Sequence, residues 1–495
     1  MPTLRKQTIH AMSWSALETL GLTILQFVFS IIMARLLTPE QYGLIAVLGV
    51  FITLAQTFVD SGFGSALIQK REPSQTDITT VFVFNMVIAV VCVGAVCGVA
   101  PWIAGFYGQP ILRPMACVLS MGIVINALCL IQFRLMTKRL DFKTQAKIGL
   151  GSTLFSGVVG VLMAMNGFGV WSLVAQQLCS HSVRGILLWG LNPWRPSGHI
   201  SLASLREMAP FGSRILGIGL LETVFKNLNR LVIAKLFSPA DLGYVERAHS
   251  LSDMPISGLT SMLNKVMFPV MATIQDDFKR LKSSLRTSVA VLAWVLFPAT
   301  VGLIVVAEPL VLILLTRKWA ASIPYLRLCC IDLMVYPLYV VHLSLLKAIG
   351  RSDLVLRTEL VRKGLVLISL LVTYRWGIMA MMAGYALVSV VSFVVIITQS
   401  GRLVGYRIRE QAIDLVPYVM GALLMGLMAW LSGWIPYPNL WLKLISQIAV
   451  GSAGYLLLSI MFRWKAVMQI TLALYPYLGT TGQSWARRLT GVSAA

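Results

Sequence analysis

The sequence predicts an all-α polytopic membrane protein with about fourteen transmembrane helices. Hydrophobic residues make up 57% of its 495 residues and charged residues only 12%, and the mean hydropathy is +0.80. Soluble domains carry roughly 25% charged residues, so this chain lacks the polar surface that water requires. Apolar runs of about 20 residues, long enough to cross the hydrocarbon core, recur along nearly the whole length, and they lack the period of two typical of membrane barrels.

The apolar runs give the predicted transmembrane helices in order. The first follows a short basic segment, MPTLRKQTIH, with no A-x-A cleavage site after it, so we interpret it as an uncleaved membrane helix and not as a signal peptide. Windows of about 19 residues place the fourteen spans at 12–36, 42–67, 79–104, 113–134, 148–166, 170–191, 211–236, 243–271, 286–307, 322–348, 362–376, 378–399, 413–433 and 441–462.

The net charge of +22 is explained by membrane topology. Most of the 41 lysines and arginines fall in alternate connections between the predicted helices, and the positive-inside rule makes that side cytoplasmic. Both termini are therefore predicted to be cytoplasmic, and no nucleic-acid partner is predicted. The connections on the opposite side are short and hold only Arg35, Arg113, Lys235, Arg317, Lys318, Arg375 and Lys443.

A ten-residue pattern occurs twice, 200 residues apart, as ARLLTPEQYG at 34–43 and AKLFSPADLG at 234–243. Each copy restarts a helix with Thr38 or Ser238 as N-cap, proline at the first helical position and an acid in the first turn. The match also includes the preceding cation and leucine and the final glycine, which a generic helix start does not require. We interpret it as an internal repeat.

Six predicted helices separate the two copies, so the two halves run in the same direction through the membrane. Parallel halves are related by an axis along the membrane normal, and the substrate sites of such transporters lie between the halves. The predicted organisation is an N-lobe of helices 1–6 at 1–209, a C-lobe of helices 7–12 at 210–402, two appended helices at 403–464 and a cytoplasmic tail at 465–495.

Ionisable side chains occur inside the predicted seventh helix. A charge at mid-membrane costs roughly 2.5–3.5 kcal/mol on insertion scales and marks a cavity or a pair. Glu222, Lys226 and Arg230 are four residues apart and share one helical face. Glu222 and Lys226 can pair, which leaves Arg230 without a partner on its own helix.

Other cations extend this set. Lys265 lies deep in the predicted eighth helix, while Arg214 and Arg247 lie nearer helix ends, where structural ion pairs or snorkelling to the interface explain a cation equally well. A cationic cavity needs an anionic cargo, and phosphate groups suit arginine forks and lysine point charges. The candidate anion-binding residues are Lys226, Arg230, Lys265, Arg214 and Arg247.

Signatures of catalysis and of metal binding are absent from the sequence. There is no G-x-x-x-x-G-K-[ST] motif and no nucleophile elbow. The five histidines have no paired spacing, the seven cysteines fall in apolar segments without metal-ligand spacing, and the acidic pair Asp276-Asp277 is interpreted as solvated loop. We predict a protein that is not an enzyme, with no catalytic residues, no metal site and no bound cofactor.

Several segments carry a family resemblance that covers about residues 1–400. They resemble the bacterial polysaccharide and lipopolysaccharide repeat-unit flippases of the multidrug/oligosaccharidyl-lipid/polysaccharide exporter superfamily, particularly the colanic-acid-exporter-like branch. The segments are ARLLTPEQYGLIAV at 34–47, FVDSGFGSALIQKREPSQTD at 58–77, FRLMTKRLDF at 133–142, FPVMATIQDDFKRLK at 268–282 and LLKAIGRSD at 345–353.

The resemblance implies two six-helix lobes forming a V around a central cavity, with two extra C-terminal helices. It implies that undecaprenyl-diphosphate-linked oligosaccharide units move across the bacterial inner membrane by alternating access, for exopolysaccharide, capsule or O-antigen synthesis. Lys226, Arg230 and Lys265 would then engage the diphosphate. The implied partners are this lipid-linked substrate, membrane lipids, and the polymerase and export proteins of the same pathway.

The resemblance also implies an ion gradient, of H⁺ or Na⁺, as the driving force. A coupling or gating carboxylate would lie within a predicted helix or at its end, and the sequence does not choose among the acids there. The candidates are Glu18, Asp60, Glu222, Asp253 and Asp332.

Three competing functions remain open from the residues. A small-molecule antiporter of the same fold would need an acidic cavity, opposite to the cations of the second half. A membrane glycosyl-polymerase or ligase would need a large extracytoplasmic loop, whereas the predicted ones are short. A non-transporting scaffold would have no reason to keep cations inside membrane helices.

Overall fold

The computed structural model shows only helices, turns and connections in the residues that it describes. The backbone is described for residues 4–60, 62–70, 74–139 and 141–474, and the side chains from Glu18 onward except 65, 68–69, 255, 257, 259–266, 269, 470 and 472–474. The helices of these residues are α1 (Leu4–Leu36), α2 (Pro39–Asp60), α3 (Phe63–Gln69), α4 (Gln75–Tyr107), α5 (Leu112–Lys138), α6 (Phe142–Met165), α7 (Val170–Leu191), α8 (Leu202–Leu236), α9 (Pro239–Thr273), α10 (Phe278–Leu314), α11 (Ser322–Ala348), α12 (Ser352–Thr373), α13 (Ile378–Val404), α14 (Ile408–Ser432), α15 (Leu440–Met461) and α16 (Lys465–Leu474), with 3-10 turns at Arg317–Trp319 and Tyr374–Trp376.

The prediction of a polytopic helical membrane protein is confirmed. Eleven helices of the described residues are long and apolar enough to cross a membrane. The exceptions among the long helices are α7, α9 and α12, which carry more polar or charged residues. The total of fourteen spans and the side on which the termini lie stay predictions.

The predicted second span, 42–67, is wrong in its last part. Helix α2 ends at Asp60, and Gly62 adopts a left-handed φ of 73° before the short helix α3 begins. A Cβ on Gly62 would lie 2.5 Å from the carbonyl oxygen of Gly212 on α8. Glycine is required here by both the backbone angle and the close approach of α8, and neither affects a hydropathy average.

The chain divides into two compact units, with the boundary between Glu246 and Arg247 inside α9. In the first unit, α4 packs on α5, α6 on α1 and α7, and α8 on α2, α3 and α4. Its core includes Val81, Ile131 and Phe82, and the Phe82 ring makes edge contacts with Trp189 and Trp194 at centroid distances of 6.1 and 5.7 Å. The predicted lobe boundaries stay a prediction.

The start of α4 in the first unit is fixed by hydrogen bonds and charge. The Asp77 N–H donates to Ser74 Oγ at 3.1 Å and the Ser74 N–H donates to Asp77 Oδ2 at 2.9 Å, a capping box. Lys70 lies 3.0 Å from Asp77 and 3.1 Å from Glu207 on α8. Hydrogen bonds to these two carboxylates raise the pKa of Lys70 above its usual value, so the connection before α4 stays tied to α8.

The second unit is centred on α10, which packs against α11, α14 and α15. The core includes Leu285, Leu296 and residues of the last helices. The ring of Trp464 lies between Tyr418 and Tyr455, at 5.3 Å from each ring centroid. Helices α14 and α15, predicted as appended, therefore share the core of this unit, and Trp464 brings the chain back to it just before α16.

Candidate functional site

The two copies of the repeated turn begin α2 and α9 with the same cap. The Thr38 N–H donates to Gln41 Oε1 at 3.0 Å, and the Gln41 N–H donates to Thr38 Oγ1 at 3.4 Å. Ser238 and Asp241 exchange the equivalent bonds, both at 3.1 Å. The predicted N-caps are confirmed, and each is completed by a residue three positions on, as in a capping box.

The two turns also contact each other, which the sequence did not predict. A Cβ on Gly43 would overlap the carbonyl oxygen of Pro239, and a Cβ on Gly243 would overlap the carbonyl oxygen of Pro39. The contact is reciprocal, as in a two-fold interface where residue i meets j and j meets i. Both glycines are buried. The repeat therefore forms a symmetric backbone contact, which we call the paired turns (38–43 and 238–243).

A cation beside the paired turns strengthens the same end of the first unit. Lys235 Nζ donates to the carbonyl oxygen of Phe106 at 2.6 Å, and it lies 4.1 Å from the centroid of the Phe106 ring. This joins the end of α8 to the end of α4. The carbonyl bond and the cation–π contact add to the glycine contacts, so α8 and α9 are held to α2 and α4 at this end.

Arg230 makes the most complete ion pair of the candidate residues. Its Nε lies 2.6 Å from Glu246 Oε1 and its second terminal nitrogen donates to Glu246 Oε2 at 2.9 Å. The other terminal nitrogen donates to Asn227 Oδ1 at 3.0 Å. Arg230 is partly exposed (36%) and Glu246 less so (17%). The expectation that Arg230 has no partner on its own helix is wrong, because Asn227 lies one turn before it.

The register of the α8–α9 hairpin explains the partner that the sequence reading missed. Arg230 and Glu246 lie eight residues on either side of Ser238, the N-cap of α9. Residues equally far from a tight turn lie opposite each other in an antiparallel pair of helices. In the first copy the same positions hold Ser30 and Ala46, so this ion pair belongs to the second copy only.

The other charged residues predicted on α8 are exposed. Arg214, Glu222 and Lys226 all lie at the surface of the unit, and no ion pair joins Glu222 to Lys226 within the described residues. Next to Glu222 in the sequence, Thr223 has its hydroxyl 3.1 Å from that of Thr57 on α2. Lys226 thus presents an unneutralised ammonium about 15 Å along α8 from its end at Leu236.

Besides Glu222, two predicted coupling carboxylates lie in the first unit. Asp60 accepts two hydrogen bonds from one nitrogen of Arg134, at 3.1 and 3.2 Å, so this carboxylate joins the end of α2 to α5. Glu18 is partly buried on α1, and its Oε1 lies 3.8 Å from where a Cβ on Gly149 would be. Asp60 therefore has a structural partner at the end of its helix.

The remaining predicted residues lie in the second unit. Asp332 on α11 is partly buried and accepts a hydrogen bond from the Ser389 hydroxyl on α13. Asp253 is exposed and Arg247 partly buried, both on α9. The side chain of Lys265 lies outside the described residues.

Comparison with known proteins shows which family the chain belongs to. The sequence profile of a family described as polysaccharide biosynthesis protein matches residues 32–324. This chain belongs to that family. It is 30% identical over 331 residues to the lipopolysaccharide biosynthesis protein WzxC of Escherichia coli K12, covering 66% of this chain and 67% of WzxC. It is 26% identical over 362 residues to the succinoglycan biosynthesis transport protein ExoT of Rhizobium meliloti 1021, covering 73% of each.

The fold of this family member matches a solved transporter structure. The inward closed conformation of the lipid II flippase MurJ superposes with a TM-score of 0.74, covering 91% of this chain and 98% of that one, at 13% identity. At this identity the likeness shows a common fold.

This polysaccharide biosynthesis protein also has a polar cluster in its second unit that the sequence reading missed. The predicted eleventh span begins at Arg362, but α12 begins at Ser352, so Arg362 lies inside that helix. Its guanidinium carbon lies 5.2 Å from the ring centroids of both Tyr336 and Tyr339, and the Tyr339 hydroxyl donates to Glu359 at 2.8 Å. Two tyrosines on one turn of α11 were the available signal.

Metal binding finds no support among these side chains. In the part of the chain that the structure describes, no group of three or more His, Cys, Asp or Glu is placed to hold a metal ion. The candidate residues instead provide cations and hydrogen-bonding groups. They are the Arg230 guanidinium on α8, the Lys226 ammonium one turn before it, and the Asp332 carboxylate on α11, which accepts a hydrogen bond from a hydroxyl. The cations suit anion recognition.

Proposed function

We propose that this protein is a flippase that carries undecaprenyl-diphosphate-linked oligosaccharide repeat units from the cytoplasmic to the periplasmic leaflet of the bacterial inner membrane. The observation that carries the proposal is the family match across 32–324 in a chain with many apolar helices. WzxC is named for lipopolysaccharide biosynthesis and ExoT for succinoglycan transport. Assembly of such polymers at the cell surface requires lipid-linked sugars to cross the membrane.

The diphosphate of the substrate is proposed to bind Lys226 and Arg230 on α8. A diphosphate needs charge-assisted hydrogen bonds, and these cations lie one helical turn apart on one face. Lys226 is exposed and carries no ion pair within the described residues. Arg230 is held by Glu246 in this conformation, so the diphosphate would take the place of that carboxylate. Arg214, Arg247 and Lys265 stay candidates for further contacts.

Transport by the purified protein tests the proposal. Proteoliposomes that contain only this protein and a labelled undecaprenyl-diphosphate-linked oligosaccharide are expected to exchange the label between leaflets, measured by its accessibility to an added glycosidase. The double variant Lys226→Gln/Arg230→Gln is expected to lose this exchange while its membrane level is retained, because the diphosphate loses both cations.

The matched control removes two cations elsewhere. Arg113 and Lys279 are exposed residues at helix starts, so Arg113→Gln/Lys279→Gln should exchange label at the wild-type rate. Exchange by the wild type no faster than in empty liposomes contradicts the flippase function. Wild-type exchange by the Lys226/Arg230 variant contradicts the diphosphate site alone.

We propose that proton exchange at Asp332 couples transport to the ion gradient. Among the five candidate carboxylates, Asp60 has an arginine partner, Glu222 and Asp253 are exposed, and Glu18 is only the first residue of the apolar part of α1. Asp332 is partly buried on α11 and accepts a hydrogen bond from the Ser389 hydroxyl. After protonation the carboxyl group can donate to that hydroxyl instead, so it keeps a hydrogen-bond partner in both states. The charged or titratable groups within electrostatic reach of it on the packed helices are His249, Asp253, Arg362 and Tyr385.

Imposed gradients test this coupling in the same proteoliposomes. A pH gradient is expected to accelerate wild-type exchange, and Asp332→Asn is expected to retain the basal rate but lose the acceleration, because the amide cannot exchange a proton. Asp276→Asn, in an exposed connection, should respond as the wild type does. Acceleration by a sodium gradient and not by a pH gradient would overturn the choice of ion, and a full pH response in Asp332→Asn would overturn the choice of residue.

A further inference from the structure

A polar cavity lies in the second unit, and none of the candidate binding or coupling residues whose side chains the structure describes lines it. Its volume is about 210 Å³, far more than the ~30 Å³ share of one water molecule. Three helices contribute to it: α10, α14 and α16. The residues that line it are Ser283, Arg286, Thr287, Ala290, Asp414, Tyr418, Lys465 and Gln469.

An arginine in the cavity wall is held in place by a carboxylate and a tyrosine. Arg286 Nε and a terminal nitrogen both lie 2.5 Å from oxygens of Asp414. The Tyr406 hydroxyl donates to Asp414 Oδ2 at 2.7 Å, and the Tyr406 ring centroid lies 6.0 Å from the guanidinium carbon of Arg286. The guanidinium therefore has a fixed orientation toward the cavity that it lines.

The charge of the cavity wall is positive. Asp414 is matched by Arg286, and Lys465 Nζ lies 3.9 Å from Asp414 Oδ1 while the side chain stays 64% exposed. The neighbouring carboxylate, Glu410, forms an ion pair with Lys282 at 2.7 Å. One cation thus remains in excess over the carboxylates, so the cavity favours an anion.

The hydrogen-bonding groups of the wall add a second requirement. Gln469 Nε2 donates to Thr287 Oγ1 at 3.1 Å, while Gln469 Oε1 is buried and has no hydrogen-bond partner among the described residues. A buried acceptor without a partner costs free energy, so it calls for a donor. The Ser283 and Thr287 hydroxyls also line the cavity. A ligand with both a phosphate and hydroxyl groups satisfies this wall better than a bare anion.

The position of α16 depends on an unusual backbone turn. Arg463 has a φ of 48°, which is costly for a residue other than glycine. The turn places Trp464 between Tyr418 and Tyr455 and Lys465 at the first position of α16. The packing of Trp464 thus holds the turn that brings Lys465 to the cavity.

Helix α14 has exposed apolar side chains next to Asp414, the residue that it contributes to the cavity wall together with Tyr418. Ile413 and Val416, on either side of Asp414 in sequence, are 60% and 54% exposed. On a helix long and apolar enough to span the membrane, such residues face acyl chains. Basic pockets between transmembrane helices bind lipid head groups, and the adjacent apolar surface suits the acyl chains of such a lipid.

We infer that this cavity binds the phosphate headgroup of a membrane lipid that also carries hydroxyl groups. Lys465 and Arg286 would contact the phosphate, and Gln469 Oε1 would accept from a hydroxyl. Phosphatidylglycerol has both groups. A lipid-linked sugar phosphate has them too, so the experiment separates the two sources.

Binding to the full chain in detergent tests the inference, with thermal unfolding and native mass spectrometry as readouts. Phosphatidylglycerol is expected to raise the unfolding temperature and to remain bound, whereas phosphatidylcholine is not. Lys465→Gln should weaken phosphatidylglycerol binding about five-fold, the loss of one lysine–phosphate attraction near a membrane surface. Thr287→Val, which keeps every charge, should weaken it less, through loss of the bond that holds Gln469.

Controls decide the source and the specificity. Lys279→Gln, an exposed cation on the first turn of α10, should bind phosphatidylglycerol as the wild type does. Preference for an undecaprenyl-diphosphate-linked oligosaccharide over phosphatidylglycerol, lost in Lys465→Gln, would assign the cavity to the lipid-linked sugar instead. Equal lipid binding by wild type, Lys465→Gln and Thr287→Val would overturn the site, and this outcome leaves the flippase assay unaffected.

Discussion

The variant Gly43→Val is expected to reach the membrane and to lose export. A Cβ at this position would overlap the carbonyl oxygen of Pro239, so the paired turns must separate. Helix α2 itself tolerates the change, because Gly43 has no positive φ. Overpacking at such a contact costs about 1–3 kcal/mol, which shifts the ratio of joined to separated turns about 5- to 150-fold. A transporter that must close this end in each cycle would stall.

Thiol accessibility measures the separation directly. In a variant whose seven native cysteines are replaced by serine, Pro39→Cys places a thiol at a buried position whose backbone meets Gly243. A membrane-impermeant maleimide added from outside should label it slowly, and much faster when Gly43→Val is also present. Gly243→Val should act alike, and the two valines together should add little because they disrupt one contact.

The same helix supplies the control for Gly43. Gly49 lies on α2, and a Cβ there would meet no atom within 4 Å, so Gly49→Val should retain export and slow labelling. If Gly43→Val exports at the wild-type rate with unchanged labelling, the paired turns have no role in the cycle. Reduced membrane level of Gly43→Val but not of Gly49→Val would instead indicate a folding contact.

Hydropathy was sufficient for the helices, because a span of apolar residues forms a helix in lipid whatever its neighbours are. It could not show the break at Gly62 or the short helices α3 and α16. The break depends on the approach of Gly212 from α8, about 150 residues away in sequence. Local composition carries no record of such a contact.

The repeated turn shows the same limit within the candidate site. The caps at Thr38 and Ser238 are local, so the sequence predicted them. The contact between the copies is long-range, and only the unusual match of Gly43 with Gly243 indicated that something beyond a helix start was repeated. The partner of Arg230 is an intermediate case. Glu246 lies on a different helix, but the register of the hairpin around Ser238 would have been enough to predict the pair.

Exchanging the charges of Arg230 and Glu246 distinguishes a role of Arg230 in binding the diphosphate from its role in the ion pair with Glu246. Arg230→Gln leaves Glu246 without its arginine partner and is expected to destabilise the fold by about 1.5–3 kcal/mol, the range for hydrogen bonds to charged groups, and to abolish export. The double variant Arg230→Glu/Glu246→Arg restores the opposite charges across the hairpin. Its thermal stability is expected to recover most of the loss.

Export should not recover with it. In the exchanged variant the cation projects from α9, and Lys226 loses the neighbour one turn away on its own helix, so the two cations no longer share a face. An ion pair that serves only packing predicts the opposite result, in which export returns together with stability. Lys226→Gln gives the matched reference, because it removes a cation without breaking any ion pair of the described residues and should lower export with little change in stability.

Neutralising the carboxylate distinguishes competition from simple packing. If Glu246 occupies the Arg230 fork until the diphosphate replaces it, Glu246→Gln should bind inorganic pyrophosphate more tightly than the wild type, by roughly ten-fold for about 1.4 kcal/mol of released competition. Turnover in proteoliposomes should fall, because the carboxylate that displaces the departing diphosphate is absent. Tighter binding with slower turnover follows only when one arginine serves two anions in alternation, whereas weaker binding in Glu246→Gln would mean that the pair merely positions α8 against α9.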